Sequence, residues 1–268
     1  MNKKFLMYPT RNFSFNLKND EFFFEKNPRS KVSEYLSWPE KFKQDNQCVS
    51  LEEINFFGFR SDNFIKTHEG LHILFNGCSE TWGYSLLKKE MWSNILYKKI
   101  QDKEKCSGYF NLSIPGSSIL SQVTNMFKYF SQYGNPNVIF LNMPDLKRFY
   151  SYENRLVDYE YNYESETVLG LLAYQYYLML EQYCNSNNIK LYSFSWSKDT
   201  ESKMSDNFKK TFYKINEDNI LNFVYKYKEE NKNQYSINAR DGLHFGVGFN
   251  EYWADFMYNK YLNTWPTL

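Results

Sequence analysis

From residue 71 onward, apolar positions fall into short continuous runs alternating with longer stretches of helical spacing. Leu71–Phe75, Tyr109–Ile114, Asn137–Leu141 and Ile189–Phe194 are brief apolar runs of strand length. Between them, Leu86, Leu87, Met91, Ile95, Leu96 and Ile100 recur at near-helical spacing and predict a helix over 82–100. Further helices are expected over 118–130, 168–184 and 250–262, and another near 220–227. Strand-helix alternation of this kind indicates a parallel sheet with helices on both faces. The expected fold class is α/β, a three-layer α/β/α sandwich around a central parallel sheet.

The first part of the chain has no such period. Residues 1–68 mix Asn, Lys and Phe with Pro9, Pro28 and Pro39. They read as an irregular N-terminal extension packing on a main domain over 69–268, with Phe56–Ser61 a short strand or docking turn. Two polar segments interrupt the later alternation. Residues 147–166 carry Arg148, Tyr150, Tyr152, Arg155, Tyr159, Tyr161 and Tyr163, and residues 197–234 are largely polar. Both follow a predicted strand, at the sheet edge where open α/β proteins bind ligands.

Composition narrows the function classes. With 268 residues and 42% hydrophobic content, the chain can bury a sizeable core. Lys+Arg 32 against Asp+Glu 31 leaves a net charge of +1, without the basic excess of a nucleic-acid binder. Aromatic residues make up 20%, and part of that excess fits codon bias in an AT-rich genome. Cys48, Cys78, Cys106 and Cys184 form no CxxC pair and read as free thiols. The apolar stretch at Phe5–Met7 is shorter than a secretion signal requires, and no window approaches a membrane span. The expectation is a soluble cytoplasmic protein with no membrane or nucleic-acid partner; membership of an oligomer or a virion stays open.

Two segments carry candidate chemistry. In Gly77-Cys78-Ser79-Glu80-Thr81-Trp82-Gly83, a buried strand breaks at a glycine and delivers a serine to a helix start. A serine hydroxyl needs a base to become a nucleophile, and its own N–H can face a developing oxyanion from such a turn. Taken alone, Ser79 also fits a simple helix cap. In Asp241-Gly242-Leu243-His244, a carboxylate three residues before a histidine can hold one imidazole nitrogen while the other stays free. An Asp-Gly turn followed by a capping histidine fits the same residues. His72 is expected at a strand edge and His68 at the surface. No metal-ligand spacing is present.

Together the two segments resemble the SGNH (GDSL-type) hydrolase superfamily, with Gly-x-Ser after the first strand and Asp-x-x-His near the C-terminus. The Gly77-Cys78-Ser79-x-Thr81-x-Gly83 form, preceded by Gly58-Phe59-Arg60-Ser61, is similar to phage-encoded and environmental members. The resemblance covers residues 56–262. It implies a flavodoxin-like sheet and an acyl-enzyme mechanism without cofactor or metal. Ser79 is then the nucleophile, His244 the base and Asp241 its orienting carboxylate. Backbone N–H groups of Ser79 and Gly116 form the oxyanion hole, and Asn142 is its side-chain candidate. The expected substrate is a small-molecule or glycan ester, first of all a short acyl ester on a carbohydrate, because the aromatic faces of the segment 148–163 suit sugar rings and its arginines suit carboxylated sugars. The third block departs from the family pattern, because Pro144 stands where an oxyanion-hole asparagine belongs and has no N–H to donate. That departure keeps open a weakly active or inactive structural or glycan-binding component on the same scaffold.

Overall fold

In the computed structural model, β1 (Ile73–Asn76) lies inside a four-stranded parallel sheet. The structure describes residues 59–84, 86–146, 148–150, 156–157, 163–215, 237–239 and 244–264, together with residues 53, 55 and 57. Asp241, the helix expected near 220–227 and most of the expected extension over 1–68 lie outside the described residues.

The other strands of the sheet are β2 (Phe110–Asn111), β3 (Val138–Met143) and β6 (Lys190–Ser195), in the order β2-β1-β3-β6. Asn76 pairs with Leu141, and Asn142 pairs with Phe194. A short antiparallel hairpin, β4 (Phe149–Tyr150) and β5 (Leu156–Val157), follows β3 outside the sheet.

Strand alternation sorts the core into two layers. Ile73, Phe75, Val138 and Phe140 face one apolar cluster, which contains Trp92, Leu96 and Ile100 of α2 (Trp92–Gln101) and Trp253, Ala254 and Met257 of α6 (Val247–Thr264). Leu74, Ile139, Leu141 and Met143 face the opposite cluster, with Val123 and Met126 of α3 (Ile119–Tyr133), Tyr177 and Leu180 of α4 (Tyr163–Ser186) and Met204 of α5 (Lys198–Ser205). Helices thus cover both faces of a parallel sheet, the three-layer α/β/α architecture expected from the alternation. Each fully buried large side chain contributes about 1.5–3 kcal/mol.

The expected helix over 82–100 is instead broken into three elements. A single turn, α1 (Ser79–Trp82), ends at Gly83 in the left-handed region (φ 77°, ψ 49°). A 3-10 turn at Lys88–Glu90 leads into α2. The apolar period ran on because Leu86, Met91, Trp92 and Leu96 all enter the same cluster. The expected strand over 109–114 is also shorter. The assigned strand ends at Asn111, but the Leu112 N–H to Phe75 O (2.8 Å) and Ile114 N–H to Gly77 O (3.3 Å) bonds keep the chain alongside the end of β1.

The segment before β1 is built into the domain. Phe59 and Phe64 are core residues, and Phe64 packs edge-on to Tyr129 at 5.1 Å between centroids. Beside edge strand β2, Ser61 Oγ accepts the Asn111 N–H, and Asp62 accepts and donates bonds with the Tyr109 backbone. Residues 59–62 therefore dock on that edge, which protects an otherwise open strand. His72, expected at a strand edge, is buried at 2% exposure and stacked on His68 with centroids 3.5 Å apart. Among the described residues no helix is long and apolar enough to cross a membrane.

Candidate active site

Gly77 closes β1 at a point too tight for any side chain. A methyl group there would lie 2.0 Å from Thr81 Oγ1 and 3.0 Å from Asn142 O. That close approach lets the chain turn sharply from strand into α1 and sets Ser79 as the first helical residue. The Ser79 side chain is nearly buried, and its Oγ lies 4.0 Å from Cys78 Sγ. As a first-turn residue, Ser79 has an N–H with no intrahelical acceptor.

The Gly77 carbonyl also ties in the candidate oxyanion glycine. It accepts the Ile114 N–H (3.3 Å) and the Ser117 hydroxyl (2.9 Å). Between them, Ile114-Pro115-Gly116-Ser117 forms a turn closed by the Ser117 N–H to Ile114 O bond (3.0 Å). Proline at its second position and Gly116 at its third, with φ +74°, give a type II turn. Among the described residues other than its chain neighbours, no atom lies within 4 Å of where a Gly116 side chain would begin. Gly116 is glycine for its backbone conformation.

On the far side of α1, a buried arginine fixes the turn. Arg60 Nη1 donates to Gly83 O (2.9 Å) and Trp82 O (3.3 Å), the carbonyls left exposed at a helix end. Its Nε and Nη2 bond Glu53 Oε2 at 2.8 and 2.6 Å. Ser79 O accepts both the Gly83 and Tyr84 N–H groups, so the clamp bears directly on the residue carrying the candidate nucleophile.

His244 reaches the same place from the other end of the chain. The Ala239 N–H donates to His244 O (2.8 Å) and the Gly246 N–H to Ile237 O (2.8 Å), an antiparallel pairing around Asn238 and Phe245. Asn250 in α6 donates to Phe245 O (3.1 Å) and Gly246 O (2.9 Å), and accepts from the Trp92 N–H (3.0 Å). Two contacts join this loop to α1. Glu80 Oε2 accepts the Phe245 N–H at 3.3 Å, and the Tyr84 ring lies 4.8 Å from the His244 ring. The segments bearing Ser79 and His244 are thus brought together at the carboxyl edge of the sheet. Asp241 lies outside the described residues.

Asn142 sits near the end of β3, fully buried, beside Gly77. Its Oδ1 accepts the Trp196 N–H at 3.2 Å, while its Nδ2 is buried with no partner among the described residues. A buried amide donor without an acceptor is costly, and such groups call for an explanation. Pro144 is buried too, and its carbonyl accepts the Thr200 hydroxyl (3.3 Å).

Sequence reasoning passed over Glu80, Tyr84, Trp196 and the clamp made by Arg60. Arg60 had one visible signal, a charge placed directly after the aromatic run Phe56–Phe59.

No protein family and no curated protein matches this chain. Among solved structures it is similar to the psychrotrophic esterase EstA from Pseudoalteromonas sp., described as inhibited by monoethylphosphonate. The identity is 15% and the TM-score 0.46, covering 72% of this chain and 98% of that one. An acetyl xylan esterase, AlAXEase, is similar at 15% identity and a TM-score of 0.45, covering 70% of this chain and 98% of the other. Likeness at this level carries no argument about residues or reaction, which rest on this chain's own sequence and geometry.

Proposed function

We propose that this chain is a serine ester hydrolase of the SGNH type, acting on short acyl esters of carbohydrates. Ser79 Oγ attacks the ester carbonyl carbon while His244 takes the hydroxyl proton, giving a tetrahedral oxyanion. The N–H groups of Ser79 and Gly116 and the amide of Asn142 stabilise that oxyanion. Collapse breaks the bond to the alcohol, which leaves with the proton from His244. Water, deprotonated by His244, then cleaves the acyl-enzyme and releases the acid. Asp241 orients the imidazole and stabilises its cation.

The observation that carries this reading is the pairing of Glu80 with Phe245, which ties the turn bearing Ser79 to the loop bearing His244. The order of the two segments along the chain and their resemblance to the SGNH blocks support it. The test is reaction with a serine-directed phosphonate, read by intact mass, alongside hydrolysis of para-nitrophenyl acetate. Wild type should form one adduct and hydrolyse the ester; Ser79→Ala should do neither. An adduct of equal yield on Ser79→Ala removes the nucleophile assignment.

A second reading, a non-catalytic structural or glycan-binding component of a larger assembly, draws on Pro144 in place of the expected asparagine. Inactivity of the wild type together with stable higher assembly on a sizing column favours it.

A further inference from the structure

Trp196, just past β6, touches both halves of the candidate site. Its indole Nε1–H donates to Cys78 Sγ at 3.3 Å, and its ring centroid lies 6.5 Å from that of Phe245. The chain neighbours of those two partners are Ser79 and His244. Its backbone N–H holds Asn142 Oδ1. Trp196 is only partly buried.

Arg148 covers this ring. Its guanidinium carbon stands 5.3 Å from the Trp196 centroid, within cation-π range. The Arg148 N–H bonds Asp145 O at 3.0 Å, which anchors the loop after β3. The side chain is half-buried, and among the described residues no carboxylate forms an ion pair with it. An arginine resting on an aromatic ring keeps its in-plane N–H donors available for two parallel bonds to a carboxylate.

We infer that Arg148 and Trp196 form a subsite for a carboxylate on the substrate, so that the ester cleaved at Ser79 carries a negative charge near its reacting carbon. This rests on the esterase reading and narrows it from short acyl esters in general to acidic ones, such as esters of uronic-type sugars. Trp196 supplies the apolar face against which a sugar or acyl chain packs, and Arg148 supplies the charge.

The test compares esters matched in size but not in charge. On the acyl side these are para-nitrophenyl hydrogen glutarate against para-nitrophenyl pentanoate. On the alcohol side they are meta-acetoxybenzoate against meta-tolyl acetate. Wild type should favour the charged member of at least one pair by about tenfold in kcat/KM, the scale of one charge-assisted hydrogen bond. Arg148→Gln should remove that preference while leaving the neutral ester within about twofold, and Arg148→Lys should retain part of it. Added salt should erode the preference, since the group is partly solvated. Equal loss on both members, or no preference in wild type, overturns the inference while leaving the esterase reading intact. If wild type cleaves no ester at all, titration calorimetry with galacturonate decides. Binding that is lost in Arg148→Gln supports the subsite, and binding that is absent or unchanged overturns it.

Discussion

Glu80 Oε2 accepts the Phe245 N–H at 3.3 Å, which binds the residue after Ser79 to the residue after His244 across 165 positions of sequence. Nearly buried, this carboxylate is a positioning group for the two segments rather than a surface charge. Glu80→Ala removes the acceptor and frees the His244 loop to drift. A misplacement of about 1 Å at a reacting group can cost about 100-fold in rate. The expected outcome is a fall of about 10- to 100-fold in kcat, with Glu80→Gln recovering most of it because the amide oxygen still accepts. Steady-state kinetics on para-nitrophenyl acetate checks this. Equal loss in both variants would mean that the charge, not the hydrogen bond, matters.

Asn142 offers a cleaner separation of roles. Its Oδ1 is engaged by the Trp196 N–H, whereas its Nδ2 has no partner among the described residues. Asn142→Asp keeps the acceptor and replaces the donor with an oxygen. If Nδ2 serves the oxyanion, kcat should drop by about 100- to 1,000-fold with little change in KM. Activity within a few-fold of wild type, in protein whose melting temperature shows it folded, would remove Asn142 from the oxyanion hole.

The sheet and its helices were legible because each core residue repeats with the period of its element. On α4, Ala173, Tyr177, Leu180 and Cys184 mark the buried face at helical spacing. The turn at Gly77 was legible too, since a glycine between an apolar run and Ser79 has few other uses. The break at Gly83 was not, because Leu86 and Met91 enter the same core as α2 and their spacing carries no mark of the interruption. Glu80 and Arg60 escaped for a different reason. A buried charge looks like a surface charge in sequence until its partner is known, and their partners stand 165 residues away and, on backbone carbonyls, 22 and 23 away.

The Arg60 clamp predicts a stability effect. Arg60 is fully buried and bonds Glu53 and the carbonyls of Trp82 and Gly83. Arg60→Met leaves those acceptors without their donor. Breaking a buried pair from one side costs about 3–5 kcal/mol, and the partial exposure of Glu53 puts the expected loss at the lower end. For a domain of this size that lowers Tm by about 6–12 °C. Arg60→Lys should fall between, because a single ammonium cannot span Glu53 and both carbonyls. A Tm within about 2 °C of wild type for Arg60→Met would show that the clamp contributes little.

His72 makes the fold sensitive to acid. Burial, with repulsion from stacked His68 adding to it, lowers its pKa from 6.5 to about 3, against a smaller opposing effect of the Asn135 backbone. Its Nε2 lies 2.8 Å from the Tyr129 hydroxyl, so the neutral ring is already hydrogen-bonded in place. The unfolded chain takes up a proton at this residue below about pH 6.5, while the folded chain resists it until about pH 3. In that window the unfolded state binds more protons, so stability rises with pH. The His72 contribution is complete above pH 6.5 and is lost progressively as pH falls towards 3. One proton sets a limiting slope of about 1.4 kcal/mol per pH unit. Urea unfolding between about pH 5 and 6.5, above the range where most carboxylates titrate, reads the histidines, and comparison with a His72 variant assigns the share of this one. His72→Gln should flatten the dependence there by up to that slope while keeping an amide beside the Tyr129 hydroxyl. Parallel pH profiles for variant and wild type would show that the stacked pair is not the acid-sensitive element.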